Sequence, residues 1–370
     1  MKEICIFGCG KHASHVFYRL KQDGYQIKYI FDNYIKKPFY GMPITRISEC
    51  LDELNTMMIL VTNDLYYKDV KEQLEKYGLK EFCDFIKADA YNKKIVFING
   101  NCYSRYIGIL LRRCEEFNNI YYVYDDTSIL SHPNEIDSNL LRNCDVFIHQ
   151  DIQMGNKYSD IFADAMTIPK LKKECISICI PNLVGFGGLL YPQAYFSDDF
   201  ENDMFPNRDC IVDGLIKHGY SIDDIVNIVC TCKIFSDSML MNEYKTIVSK
   251  FREREKEWDI KIIDYIVENF RSIKCFVDRA HPTDIVFRVI IKGILEILNI
   301  EYNTLEYSIY NRDIFQGTEN IIYPDVARFF KLQYWSEDYE LRRFFPQKIR
   351  AMNMEEYVRE YIFEYYERLV

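Results

Sequence analysis

The chain has 370 residues, with 46 Lys and Arg against 56 Asp and Glu, for a formal net charge of −10. Hydrophobic residues at 48% and charged residues at 28% exclude a wholly disordered or collagen-like chain. The length allows two or three domains, and the acidic balance excludes a general nucleic-acid binder, which needs a basic field; a local basic pocket for one phosphorylated ligand stays open.

The opening MKEICIFGCGKH has only a short apolar run before Gly8 and Gly10, so it is not read as a secretion signal. No stretch approaches about 18 apolar residues without a charge, so no transmembrane helix is expected. Thirteen cysteines, several in apolar runs (Cys5, Cys175, Cys179, Cys230), read as reduced thiols of a cytoplasmic protein rather than as a disulfide framework.

Residues 1–90 read as an α/β unit with a parallel sheet. KEICIFG, YQIKYIFDN and MMILVTND are strands, KHASHVFYRLKQDG and LYYKDVKEQLEKYGL are helices, and Pro38 to Pro43 form a loop. The first turn places Gly8 and Gly10 after a strand and Ala13 at the opening of a helix, a pattern that lets backbone approach a phosphate at a helix N-terminus. Asp32 ends the second strand at the spacing of a ribose-binding acid. A turn that only packs well fits the same residues. His12 and His15, three apart and without a nearby acid or thiol in the sequence, read as surface residues rather than metal ligands. The stretches FGCGKHASHV, YIFDN and GMPI resemble the N-terminal nucleotide-sugar-binding domain of PglD-type sugar acetyltransferases. That resemblance implies a nucleotide-sugar near Gly8, Gly10, His12 and Asp32.

Residues 91–300 carry the chemistry. KKIVFING is a strand that ends in Asn99-Gly100-Asn101-Cys102, and YSRYIGILLRRC continues as a helix. A cysteine at such a turn meets the positive end of a helix dipole, which favours thiolate, and the following N–H groups can hold an oxyanion. A buried structural thiol is the alternative. Farther on, CFVDRAHPTDIVFRVIIKGILEIL reads as strand, loop and helix, with Asp278 and His281 three apart in the loop. The acid can orient the imidazole and the imidazole can take a proton; the same residues can also serve as a helix cap ahead of Pro282. His149, Gln150 and Gln153 follow a strand where ligand contacts gather in open α/β sheets, and Asn182 after Pro181 can donate an amide or close a turn. Cys230-Thr231-Cys232 and Cys175 to Cys179 lie in strand-like runs without zinc-knuckle spacing, so no metal is expected.

Gly100-Asn101-Cys102 near the start of this segment and Asp278-x-x-His281-Pro282 near its end resemble the first and last blocks of the SGNH hydrolase and acyltransferase pattern, with Asn101 and Cys102 in place of its Asp and Ser. The variant, together with CDVFIHQDIQ, ISICIPNLVGFGGLLYP and DRAHPTDIVFR, is similar to the WcbI family of polysaccharide-biosynthesis proteins over roughly residues 93–300. The resemblance implies an SGNH-like α/β domain that binds coenzyme A or acetyl-CoA and acylates a capsular or other surface sugar. Cys102, His281 and Asp278 would be catalytic, with Gly100, Asn101 and Asn182 around the reacting carbonyl and His149 and Gln150 on substrate. Arg105, Arg112, Arg113 and Arg279 could meet phosphates. An esterase with the same residues and a non-catalytic nucleotide-sugar-binding protein are the other readings.

Residues 301–370 read as a helical extension. It ends in NMEEYVREYIFEYYERLV, whose apolar face at 357, 358, 361, 362 and 365 suits docking on the catalytic domain or on a second copy of the chain.

Overall fold

In the computed structural model, which describes residues 3–54, 56–152, 158–196, 207–303, 319–345 and 348–367, the strand–helix alternation at the N-terminus folds as it reads. Strands β1 (Glu3–Phe7), β2 (Ile27–Phe31), β3 (Ile44–Thr45), β4 (Met57–Val61) and β5 (Phe85–Lys87) form a parallel sheet of order β3-β2-β1-β4-β5. β1 is its centre, and Ile4, Cys5 and Ile6 are fully buried, as expected of a strand covered on both faces. Helix Lys11–Gln22 buries Ala13, Val16, Phe17 and Leu20, and helix Tyr67–Lys76 buries Tyr67, Val70 and Leu74, each at helical spacing. Gly8 turns the chain with φ +106°, and a Cβ there would lie 2.6 Å from Thr62 Oγ1, so both the conformation and the space require glycine.

A second sheet has the order β7-β6-β8-β9, from β6 (Lys94–Asn99), β7 (Tyr121–Asp125), β8 (Val146–Gln150) and β9 (Ile176–Ile180). The protein is therefore of the α/β class. By internal packing the chain divides into two compact units: Met1–Gly108, Glu115–Ile148 and Ile152–Ser177, and Ile109–Cys114, His149–Asp151 and Ile178–Val370. In the first unit one apolar core runs from Ile4 and Leu60 through Ile95 and Phe97 to Leu140 and Phe147. Beside it sits a buried polar knot. Glu81, 3% exposed, accepts the hydroxyls of Tyr67 and Tyr124 at 2.6 Å each and pairs with Lys71 at 2.5 Å. Burial, with Glu81 adjacent, pushes both phenols above their ordinary range.

The second unit is mostly helical, with an antiparallel pair β10 (Ala194–Phe196) and β11 (Asn207–Asp209). Three sequence expectations change. Cys230 lies on helix Ile222–Thr231 and not in a strand, because Ser221 caps that helix and Ile225, Val226 and Val229 bury at three- and four-residue spacing. The strand expected before Asp278 reduces to a single bridge, Phe276 to Pro282, since proline and a tight turn leave no room for a ladder. Besides helices Pro324–Phe330 and Met354–Ile362, the last segment holds an antiparallel pair, β12 (Leu341–Phe345) and β13 (Lys348–Met352), where Phe344, Phe345 and Ile349 are residue types that favour a strand. Among the described residues no helix is long and apolar enough to cross a membrane.

Asp209 begins helix Cys210–Lys217, with Oδ1 accepting the N–H groups of Ile211 and Val212 and Oδ2 accepting the Tyr323 hydroxyl at 2.9 Å. Burial pushes its carboxyl up to about 7. Between its ordinary range near 4 and pH 7 only the folded state holds this proton, so the group's contribution to stability falls as pH rises through that window. Asp209→Asn, which keeps the cap acceptor, is expected to remove that slope. Melting temperatures of both proteins from pH 4 to 8 check it; parallel curves would refute it.

Candidate active site

The cysteine turn grows out of β6. Asn99 ends the strand, Gly100 and Asn101 turn the chain, and Cys102 opens helix Cys102–Leu111. Asn101 Oδ1 accepts the Tyr103 N–H at 2.9 Å, which caps the helix, and lies 4.0 Å from Cys102 Sγ. Gly100 O accepts the Ile129 N–H at 2.9 Å, and Ser104 Oγ donates to Asn101 O at 2.7 Å. Tyr103, Ile107, Leu110 and Leu111 are fully or almost fully buried, so the helix and its first turn are fixed by packing. Cys102 itself is half-buried, so a reagent can reach it. By contrast, burial pushes the thiols of Cys5 and Cys275 up to about 12, as befits inert core groups.

The acid–imidazole pair sits in the second unit. Asp278 is wholly buried and His281 is 7% exposed. Asp278 Oδ1 accepts the N–H groups of Ala280 and His281 at 2.7 Å each, while Oδ2 lies 2.8 Å from His281 Nδ1. One carboxylate thus shapes the turn and orients the ring through Nδ1. The helix-cap reading does not hold: Thr283 stands at the start of helix Asp284–Ile297 without a side-chain cap, its hydroxyl donating to Lys274 O at 2.9 Å, and the Asp278 carboxylate bonds the loop ahead of that helix. The loop is pressed from the other side by glycines. A Cβ on Gly187 would come within 2.2 Å of Asp278 O, and Gly185, at φ +95°, donates its N–H to Arg279 O at 3.1 Å. In the sequence, two adjacent glycines after a strand, Gly187 and Gly188, are the signal for this close approach.

The remaining candidates fall as follows. Arg279 Nη1 donates to Ala194 O at 3.1 Å, and Arg105 is exposed on the cysteine helix. Asn182 Oδ1 accepts the Val184 N–H at 3.3 Å, a turn contact. His149 and Gln150 end β8 at 4% and 1% exposure, with Gln150 Nε2 3.5 Å from Pro181 O; Gln153 lies outside the described residues. At the N-terminal sheet, Asp32 Oδ2 accepts the Cys9 N–H at 2.9 Å and Oδ1 accepts those of Tyr34 and Ile35, so the acid fastens the glycine turn. Gly10 opens helix Lys11–Gln22, and His12 Nε2 pairs with Asp89 at 3.0 Å. A cavity of about 530 Å³ opens beside Asp32, lined also by Phe7, Lys36, Arg46 and Gln73.

Comparison with known proteins fits this layout. Residues 95–303, more than half of the chain and a span that includes Cys102, Asp278 and His281, match the family model described as polysaccharide biosynthesis enzyme WcbI. A solved structure of WcbI, described as a novel polysaccharide biosynthesis enzyme in its native form without a disulfide bond between coenzyme A and one of its cysteines, matches with a TM-score of 0.56 at 16% identity. The match covers 75% of this chain and 90% of that one, and it shows the shared fold. A search of curated proteins found no match. The extent of the family match settles the assignment: this chain belongs to the WcbI family of polysaccharide biosynthesis enzymes.

Proposed function

We propose that the protein is a cytoplasmic acyltransferase that moves an acyl group, acetyl in the simplest case, from coenzyme A to a sugar hydroxyl during capsular or related surface-polysaccharide synthesis. The observation that carries the reading is the buried Asp278 carboxylate 2.8 Å from His281 Nδ1, the arrangement that makes an imidazole a directed base. The half-buried Cys102 at a capped helix start is the proposed acyl carrier. Its sulfur attacks the thioester carbonyl, the carbon–sulfur bond to coenzyme A breaks, and the coenzyme leaves as the thiol with the proton from Cys102. His281 Nε2 then takes the proton of the sugar hydroxyl as its oxygen attacks the acyl-cysteine; the ester leaves, Cys102 is released as thiolate, and solvent carries the proton from the imidazolium and restores the thiol. Backbone N–H groups at the Gly100–Cys102 turn, with Asn101 and Asn182, are proposed to hold the developing oxyanion, and His149 and Gln150 to border the substrate. Coenzyme A is the donor by analogy with the related WcbI structure, whose description names it. Arg105 and Arg279 are proposed to meet its phosphates, and the cavity beside Asp32, with Lys36 and Arg46 on its wall, to take a nucleotide-sugar.

A thermal-shift titration with coenzyme A, acetyl-CoA and UDP-sugars tests the donor. A ligand at 100 times its Kd stabilises the folded state by about 2.7 kcal/mol, so coenzyme A is expected to raise the melting temperature saturably. Absence of that shift, combined with hydrolysis of simple esters in the absence of coenzyme A, would replace the transferase by an esterase.

A further inference from the structure

We propose that the protein binds its sugar acceptor, one neutral or amino-substituted ring, in a small acidic pocket at the C-terminal ends of β6 and β7, with the buried amide of Asn99 as its anchor. Naming the ligand as the acceptor rests on the acyl-transfer reading; the pocket itself does not.

Asn99 is 2% exposed, and its Nδ2 finds no acceptor among the described residues. A buried amide left unsatisfied is costly, and native proteins rarely keep one without a reason. Asn99 lines a cavity of about 160 Å³ whose other polar walls include Asp125, Glu135 and Asp137, with His132 beside them. Asp125 Oδ1 accepts the N–H and hydroxyl of Thr127, which leaves Oδ2 open among the described residues. Asp137 Oδ1 caps helix Ser138–Asn143 and Oδ2 faces Lys71 at 3.3 Å, so it contributes charge more than an open acceptor. Glu135 stands exposed. No lysine or arginine is among the lining residues.

The chemistry of the ligand follows. The amide needs an acceptor and the carboxylates need donors, which a hydroxyl supplies together. Asp125 and Glu135, with no lysine or arginine in the wall and Asp137 already paired with Lys71, repel phosphate and carboxylate groups, so this is not where a coenzyme A pyrophosphate sits. The volume falls below the roughly 300–1,000 Å³ of pockets for drug-sized ligands and suits one ring. Phe97 and Phe162, both in the lining, offer an apolar surface to the C–H face of a sugar. The position fits an acceptor as well. Only Gly100 and Asn101 separate Asn99 from Cys102, and the pocket residue Ile129 donates its N–H to Gly100 O, so the pocket wall and the cysteine turn are joined directly.

Saturation-transfer NMR on the full chain, with methyl glycosides of a hexose, an amino-hexose and a hexuronic acid, and with a hexose phosphate, tests the proposal. The hexose and amino-hexose are expected to bind saturably, and the two acids at least about tenfold more weakly. Asn99→Asp, which keeps the shape and removes the donor, is expected to weaken hexose binding about tenfold or more. Glu135→Gln, at an exposed site that cannot unfold the chain, is expected to weaken the amino-hexose and narrow the gap to the acids. Equal binding of acids and neutral glycosides, no binding of any glycoside, or unchanged binding in both variants would overturn the pocket. Glycoside binding that depends on Asn99 without any acyl transfer would sink the transferase reading alone. Transfer with an unchanged acceptor KM in both variants would sink the pocket alone.

Discussion

Asp278→Asn is expected to lower the acyl-transfer rate by roughly 10³–10⁴-fold while leaving the fold in place. The asparagine oxygen can still accept the Ala280 and His281 N–H groups that Asp278 Oδ1 holds at 2.7 Å, so the turn survives. Its NH₂ would then face His281 Nδ1, where the carboxylate lies at 2.8 Å. That nitrogen is forced to accept, the proton moves to Nε2, and the ring can no longer act as a base there. His281→Ala should give a loss of the same order, and the double variant little more, because the two residues act as one device. Steady-state kinetics beside melting curves decide the matter. A loss below tenfold with an unchanged fold would show that the pair only shapes the loop.

Glu81→Ala should be the most destabilising single change in the first unit, at about 3–5 kcal/mol. It leaves two phenols whose oxygens lie 2.5 Å apart without their shared acceptor, and it strips Lys71 of its closer carboxylate. Glu81→Gln keeps an acceptor and should cost less. Denaturant midpoints, compared with Glu75→Ala at an exposed helical position, measure the difference. Equal midpoints for Glu81→Ala and Glu75→Ala would show that the knot contributes nothing.

What the sequence makes legible is whatever is written in adjacent residues. Strand, small-residue turn and helix follow one another at Gly8–Lys11 and again at Gly100–Cys102, so both turns can be read directly. Asp278 and His281 are three apart, so their pairing is readable too. Contacts made across long stretches of chain are not. Glu81 meets Tyr124 over 43 positions, and Gly187 meets the Asp278 backbone over more than twice that. Asn99 hides for another reason: it ends an apolar strand, where one amide reads as a boundary marker, and only burial without a partner gives it meaning. The helix at Cys230 shows how β-branched residues mislead when their spacing is not counted, since Ile225, Val226 and Val229 favour a strand by type and a helix by period.

The continuous core of the first unit bears on how such enzymes can be rearranged. Phe97, Leu140, Leu141 and Phe147 belong to the same buried cluster as Ile4, Leu60 and Phe85. A recombination point near residue 91 would therefore cut through oil rather than through a linker. It would bare an apolar face on both products and separate Tyr124 from Glu81. A graft of the N-terminal sheet between relatives would have to carry the chain to about residue 147, and would bring the Cys102 turn with it.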